Sequence, residues 1–148
     1  MQEQIRYPRD RTLQVLQISD THLYEDPVGC LLGLNTQMSF ERTLELAQAS
    51  HWPPDLVLVT GDLVHDGSTA GYGRLYERLA ALGVPVYCIP GNHDNPAQLS
   101  ISLNVDPVRS VSDSRYGAWA LEFVDSNQPG SDAGHIQERR CQVHQINH

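Results

Sequence analysis

Three short apolar runs stand out along the chain, and each is followed by a polar cluster. Residues 13–19, 55–60 and 84–91 are dominated by branched and other apolar side chains. Short runs of this composition are typical of strands buried in a sheet. A Pro-Pro pair precedes the second run and Pro-Gly ends the third, which separates them as distinct elements. The pattern therefore predicts three buried strands.

The segment between the first two strands has helical periodicity. Phe40, Leu44 and Ala47 in FERTLELAQASH fall on one face of a helix over residues 40–51. Ser39 directly precedes the segment, and its hydroxyl is suited to accept a hydrogen bond from an amide of the first turn. We therefore predict an amphipathic helix with Ser39 as its N-cap.

A second helical pattern lies between the second and third strands, in STAGYGRLYERLAALG over residues 68–83. Its apolar stripe consists of Tyr72, Leu75, Tyr76, Leu79 and Leu82. Ser68 or Thr69 is suited to cap its start and Gly83 to end it. An aromatic and leucine stripe at this spacing predicts a helix that packs into the core.

The order of elements predicts the fold class. A short helix after Pro96 and a strand over residues 118–126 complete the order β-α-β-α-β-α-β. Strands that alternate with helices are typical of an α/β fold with a largely parallel sheet. In such sheets, functional sites form beyond the carboxyl ends of the strands. The polar clusters after the three strands are therefore expected at one edge of the sheet.

Composition is that of a single globular domain spanning residues 1–148, with 40% apolar and 19% charged residues. The net charge of −8 argues against nucleic acid or an anionic membrane as the main partner. The sequence contains no apolar run of membrane-spanning length and no signal-peptide pattern. Cys30, Cys88 and Cys141 are odd in number and form no CxxC motif, which favours reduced thiols and a cytoplasmic location.

The three strand ends carry residue types that bind metal ions. Asp20 and His22 in SDTHL supply a carboxylate and an imidazole, a pair suited to Fe, Mn or Zn. Asp62 follows Gly61, and its two oxygens allow it to bridge two cations. Asn92 in PGNHD adds a neutral amide oxygen. Two cations about 3.5–4 Å apart would hold a phosphoryl group and activate a water molecule, so we predict a two-metal site.

The residues after Asn92 suggest proton transfer. The imidazole of His93 is expected beside the metals, where it would protonate a leaving alkoxide. Asp94 is expected to orient the His93 ring. Each short motif alone is also compatible with an ordinary turn. Their occurrence at three successive strand ends favours the metal site. We assign no role to His51 or His65, although His65 is close enough in sequence to line the pocket.

The motifs DTH, GD and GNHD together resemble those of the calcineurin-like metallophosphoesterases. The segments DTHLYEDPVGCLLGLNT, GDLVHDGSTAGY and PGNHD more closely resemble the bacterial 3′,5′-cyclic-AMP phosphodiesterases of that superfamily. The likeness runs over about residues 13–126. It implies a core of two sheets flanked by helices, and two divalent metal ions of Fe or Mn type.

The resemblance also assigns roles to individual residues. Asp20 and His22 match ligands of the first metal, Asp62 matches the bridging ligand, and Asn92 matches a ligand of the second metal. His93 matches the catalytic histidine. His22, Asp62, Asn92 and His93 also lie where the family contacts the nucleotide phosphate, so each has a predicted substrate-binding role.

The implied reaction is hydrolysis of 3′,5′-cyclic AMP to 5′-AMP by attack of a metal-bound hydroxide. His93 would protonate the departing sugar oxygen, and Asp94 would be its catalytic partner. Two alternatives remain open. One is a phosphoesterase that acts on another nucleotide, a phospholipid or a phosphoprotein, and the other is a scaffold of the same fold without activity.

The sequence departs from the family in its final segment. The family supplies further ligands beyond this length, namely a later histidine and a Gly-His-x-His motif. GHIQ at residues 134–137 resembles that motif only superficially, because Gln137 stands where the second histidine belongs. We therefore expect an N-terminal portion of the domain with an incomplete second metal site and poor activity alone, unless His135, His144 or His148 replaces the absent ligands.

Overall fold

The computed structural model describes residues 12–50, 52–110, 113–128 and 130–136. Along the chain the elements are β1 (Val15–Ile18), β2 (Cys30–Leu31), β3 (Leu34–Asn35), α1 (Thr36–Ser50), β4 (Leu56–Thr60), α2 (Thr69–Ala80), β5 (Val86–Ile89), α3 (Pro96–Ser102), β6 (Asn104–Val105), β7 (Val108–Ser110), β8 (Asp113–Tyr116) and β9 (Trp119–Glu122). The order confirms the predicted α/β fold.

The central sheet has the order β1-β4-β5-β7-β6. The first four strands in this order pair in parallel, and β6 pairs antiparallel with β7. Val59 pairs with Ile18 on one side and with Cys88 on the other. Because these strands end nearly in register, the segments that follow β1, β4 and β5 leave the sheet at one edge.

The two faces of the sheet are covered differently. One face packs against the helices in a large apolar cluster that includes Phe40, Leu44, Tyr72, Leu75 and Leu99. The opposite face contributes Leu56 and Tyr87 to a smaller cluster with Phe123, which follows the β8–β9 hairpin. Burial of branched residues on both faces explains why β4 and β5 have continuous apolar sequences rather than alternating ones.

Helix α1 begins earlier than predicted. It starts at Thr36, and the side-chain oxygen of Asn35 accepts a hydrogen bond from the Met38 amide at 2.7 Å. The prediction that Ser39 caps this helix is therefore wrong, because Ser39 lies inside the first turns. Among the helices of the described segments, none combines the length and apolar character needed to cross a membrane.

The other two helix starts agree with the sequence signals. The Ser68 side chain accepts a hydrogen bond from the Gly71 amide at 3.2 Å and caps α2. Asn95 caps α3 in the same way, and Pro96 occupies its first turn, where no amide donor is needed. In α2, three of the predicted apolar positions are fully buried: Tyr72, Leu75 and Leu79.

Two strand predictions require correction. Residues 13–19 were expected to form a buried strand, but β1 lies at the sheet edge and Val15 is 43% exposed. The strand expected over residues 118–126 is β9, which pairs antiparallel with β8 across a turn at Gly117 and not with the central sheet. The fourth parallel strand is instead β7, whose three residues are too few to show periodicity.

Candidate metal centre

Asp20, His22 and Asp62 come together where β1 and β4 end. Nε2 of His22 lies 3.9 Å from Oδ1 of Asp20 and 3.7 Å from Oδ2 of Asp62. One ligand atom from each residue lies within 4.8 Å of the others. His22 and Asp62 have only 13% and 16% of their side chains exposed, whereas Asp20 has 65%. Two carboxylates and an imidazole form a donor set that fits Fe, Mn or Zn.

The backbone is strained at all three residues. Asp20, His22 and Asp62 have φ angles of 56°, 43° and 53°, a left-handed conformation that is uncommon outside glycine. Two hydrogen bonds hold it, from the Asp20 amide to the Gly61 carbonyl at 3.0 Å and from the His22 amide to the Asp62 carbonyl at 2.9 Å. Strain that neighbouring structure maintains at clustered polar residues is typical of functional sites.

Gly91 allows the third strand end to approach the other two. A Cβ atom at this position would overlap the amide nitrogen and the carboxylate of Asp62. Without it, the loop after β5 lies directly on Asp62, and the amide of His93 donates to Asp62 Oδ1 at 3.1 Å. Gly91, which follows Pro90 at the end of β5, is thus required for close packing at Asp62.

Asp94 makes different contacts from those predicted. Its carboxylate is buried and accepts hydrogen bonds from the amides of Val64 at 2.9 Å and Gly91 at 2.8 Å. The Leu63 amide is shared between the two oxygens, at 3.1 and 3.0 Å. The Asp94 carboxylate thus supports the loops after β4 and β5, and the expectation that it orients His93 stays a prediction.

Tyr72 connects helix α2 to this support. Its hydroxyl donates to Asp94 Oδ1 at 2.7 Å and accepts a hydrogen bond from the Asn95 amide at 3.0 Å. Burial and the adjacent Asp94 carboxylate raise the pKa of the Tyr72 hydroxyl. The hydroxyl therefore remains a donor over the physiological pH range, and α2 is held to the loop that carries Asn92 and His93.

Asn92 and His93 lie beside the cluster and are both exposed. Asn92 lines a cavity of about 240 Å³ together with Asp20, Asp62 and Asp132. Its amide nitrogen donates to Asp132 Oδ1 at 3.4 Å. The ring of His93 lies edge-on to that of His22, with centroids 5.2 Å apart. Asp20, Asp62 and Asn92 therefore line one cavity, and His22 lines a neighbouring one together with Asp20.

His65 is a site residue to which sequence reasoning assigned no role. Its ring stacks on that of His93, with centroids 4.5 Å apart and an interplanar angle of 20°. Its Nδ1 lies 3.1 Å from Nδ1 of His22. Burial, followed by the neighbouring rings of His93 and His22, lowers the pKa of His65. The available signal was its position three residues after Asp62, in the same segment that leaves β4.

Of the remaining histidines, His135 lies within the described residues. His135 is exposed, and its amide donates to the Ser126 carbonyl at 2.7 Å. His51, Gln137, His144 and His148 lie outside the described residues. The expectation that His144 or His148 replaces absent ligands therefore stays a prediction.

Comparison with known proteins supplies independent information. Residues 13–146 match the family model described as calcineurin-like phosphoesterase. The chain is 36% identical over 132 residues to the 3′,5′-cyclic adenosine monophosphate phosphodiesterase CpdA of Haemophilus influenzae, covering 88% of this chain and 48% of that protein. It is 34% identical over 129 residues to the protein of the same name from Escherichia coli K12, covering 85% and 46%.

A probable cyclic nucleotide phosphodiesterase of a Synechococcus species is 36% identical over 127 residues, covering 85% of this chain and 49% of that protein. The chain therefore spans about half the length of the curated relatives it matches.

Proposed function

The chain belongs to the calcineurin-like phosphoesterase family, and from that premise we propose that it is a metal-dependent phosphodiesterase that hydrolyses 3′,5′-cyclic AMP to 5′-AMP. The observation that carries the proposal is the position of Asp20, His22 and Asp62, with ligand atoms within 4.8 Å of one another beside an open cavity. The names of its relatives support the choice of a cyclic nucleotide as substrate.

The proposed ligands divide between two cations of Fe or Mn type. Asp20, His22 and Asp62 would hold the first, and Asp62 and Asn92 would contribute to the second. Such cations, when bound, polarise a water molecule and neutralise the charge of the phosphoryl oxygens. Asp62 is suited to serve both, because its carboxylate faces His22 on one side and the His93 amide on the other.

The charge of the site supports metal dependence. Asp20, Asp62 and Asp132 line the same cavity, and the whole chain has a net charge of −8. An anionic phosphodiester would be repelled from such a site unless cations reversed its sign. Substrate binding should therefore require the metal ions rather than merely benefit from them.

His93 is the proposed proton donor. In the hydrolysis, the bond between phosphorus and the 3′ oxygen breaks, and that oxygen leaves as an alkoxide that requires a proton. The exposed His93 ring lies edge-on to that of His22, with centroids 5.2 Å apart, while its backbone amide donates to Asp62 Oδ1. An imidazolium in this position would give its proton to the 3′ oxygen.

The test measures 5′-AMP release from 3′,5′-cyclic AMP with Mn²⁺ in excess. It uses this chain and, in parallel, a chimera that continues it with the C-terminal half of the Escherichia coli relative. We expect Mn²⁺-dependent release by the chimera, little release by the 148-residue chain, and release slowed by roughly 10²–10⁴-fold in the chimera with His93→Ala. A well-folded chimera that binds Mn²⁺ but cleaves phosphomonoesters in preference to the cyclic diester would contradict the proposal.

A further inference from the structure

We propose that His65 is a positioning residue that fixes the ring orientation and tautomer of the metal ligand His22. The inference rests on the proposed function, because it assumes that His22 binds a cation. Nε2 of His22 faces the carboxylates of Asp20 and Asp62, at 3.9 and 3.7 Å, while its Nδ1 faces Nδ1 of His65 at 3.1 Å. The two nitrogens of one ring are thus directed to different partners.

The placement of protons follows from these contacts. A neutral imidazole carries one N–H and one lone pair. If Nε2 of His22 presents its lone pair to a cation, its proton must be on Nδ1. That N–H donates to Nδ1 of His65, which accepts through a lone pair, so the proton of His65 is on its own Nε2. Ligating histidines commonly donate their second N–H to such a partner.

The fold holds His65 firmly enough for this role. Its amide donates to the Leu23 carbonyl at 2.8 Å, and the preceding Val64 pairs with Leu23 in a parallel bridge. Its ring contacts those of Tyr24 and His93, with centroid distances of 4.8 and 4.5 Å. His65 is therefore fixed by the same pairing that joins the loops after β1 and β4.

A direct ligand role for His65 fits the geometry less well. Among the described residues, the group whose ligand atoms all lie within 4.8 Å of one another consists of Asp20, His22 and Asp62, without His65. Nδ1 of His65 faces Nδ1 of His22, whereas the two carboxylates face Nε2 of His22. These contacts favour a role for His65 in supporting the ligand His22.

Two substitutions separate the hydrogen bond from the stacking. His65→Asn keeps an acceptor oxygen near the position of Nδ1 but removes the ring. His65→Phe keeps a ring against His93 but removes the acceptor. We expect Mn²⁺ affinity, measured by calorimetric titration of the chain, to fall about 10- to 100-fold in His65→Phe and to be largely retained in His65→Asn. Circular dichroism establishes that each variant is folded.

Nitrogen chemical shifts of His22 in the metal-free chain provide the second readout, at a pH where both rings are neutral. We expect a protonated Nδ1 in the wild type and in His65→Asn, and a mixture of tautomers in His65→Phe. Mn²⁺ binding by His65→Phe as tight as that of the wild type, or a wild-type His22 protonated at Nε2, would overturn the inference. Failure of the wild type to bind Mn²⁺ would instead count against the proposed function.

Discussion

At the scale of single residues, Asp62 joins the three loops of the candidate metal centre. Its carbonyl oxygen accepts a hydrogen bond from the His22 amide at 2.9 Å. Its carboxylate lies 3.7 Å from Nε2 of His22 and accepts from the His93 amide at 3.1 Å. Asp62 is therefore both a proposed ligand and the structural connection between the other predicted site residues.

Asp62→Asn should weaken Mn²⁺ binding at least about tenfold, because loss of a charge-assisted contact costs about 1.5–3 kcal/mol. The substitution preserves shape and removes the charge that would bridge the cations. Equilibrium dialysis with metal analysis measures the change. Asp106→Asn is the matched control, since Asp106 is exposed and pairs with Arg109 outside the centre. Equal losses in both variants would refute the bridging assignment.

His93→Ala should leave the cations bound but slow hydrolysis of cyclic AMP by roughly 10²–10⁴-fold. The loss should be much smaller for a nitrophenyl diester, whose leaving group departs without a proton. The measurement compares kcat for the two substrates in the chimera with the C-terminal half of the Escherichia coli relative. A proton-donor role is ruled out by equal losses for the good and the poor leaving group.

The sequence predicted which residues meet at the centre better than it predicted their contacts. The proximity of Asp20, His22 and Asp62 follows from their positions after strands that end at one edge of the sheet. The partners of Asp94 depend on how two loops pack on each other, and no local pattern encodes that packing. His65 was missed for the same reason, since its proximity to His22 results from the bridge between Leu23 and Val64.

At the scale of elements, the loop after β5 depends on a glycine. Gly91→Ala should destabilise the fold and weaken Mn²⁺ binding, because the new methyl group overlaps Asp62. Gly73→Ala is a sharp control, since a Cβ at that position in α2 meets no atom within 4 Å. In a helix interior, this change should stabilise by about 0.5–1 kcal/mol. Denaturant unfolding of both variants gives the comparison, and similar stability changes would contradict the close approach.

The contact between Tyr72 and Asp94 links helix α2 to the loops of the centre. Tyr72→Phe should cost about 1.5–3 kcal/mol, the range for a hydrogen bond to a charged group. Denaturant unfolding near neutral pH measures this loss. A variant as stable as the wild type would show that the hydroxyl does not hold the loop.

Tyr72 is also expected to make the free energy of unfolding depend on pH. Burial and Asp94 raise the pKa of Tyr72, whereas an unfolded tyrosine ionises near pH 10. The stabilisation is therefore present below about pH 10 and is lost as the pH rises further, by about 1.4 kcal/mol per pH unit. The difference in free energy of unfolding between wild type and Tyr72→Phe should shrink above that pH. A difference that stays constant or grows would contradict the prediction.

Elements with several residues of regular pattern were predicted well, and short or irregular ones were not. The apolar stripe of α2 and the runs of β4 and β5 are long enough to show periodicity or continuous burial. The three residues of β7 are not. β9 pairs with β8 across the turn at Gly117, and the cluster that includes Tyr87 depends on residues distant from the strand in sequence.

At the scale of the whole molecule, a parallel sheet places three polar strand ends at one edge while both faces are covered by apolar packing. The helices cover one face, and the β8–β9 hairpin packs against part of the other. The carboxylates of Asp20 and Asp62 lie at this edge, in a chain whose net charge is −8. Their negative charge therefore calls for a cation at the edge. We therefore propose that the edge holds a divalent cation through both oxygen and imidazole ligands.

Pulsed electron paramagnetic resonance of Mn²⁺ bound to the chain tests this coordination, because it detects nitrogen atoms coordinated to the ion. We expect an imidazole nitrogen coupling that disappears in His22→Ala, where Mn²⁺ still binds, more weakly, through Asp20 and Asp62. Bound Mn²⁺ without any nitrogen coupling, or a coupling that persists in His22→Ala, would contradict it.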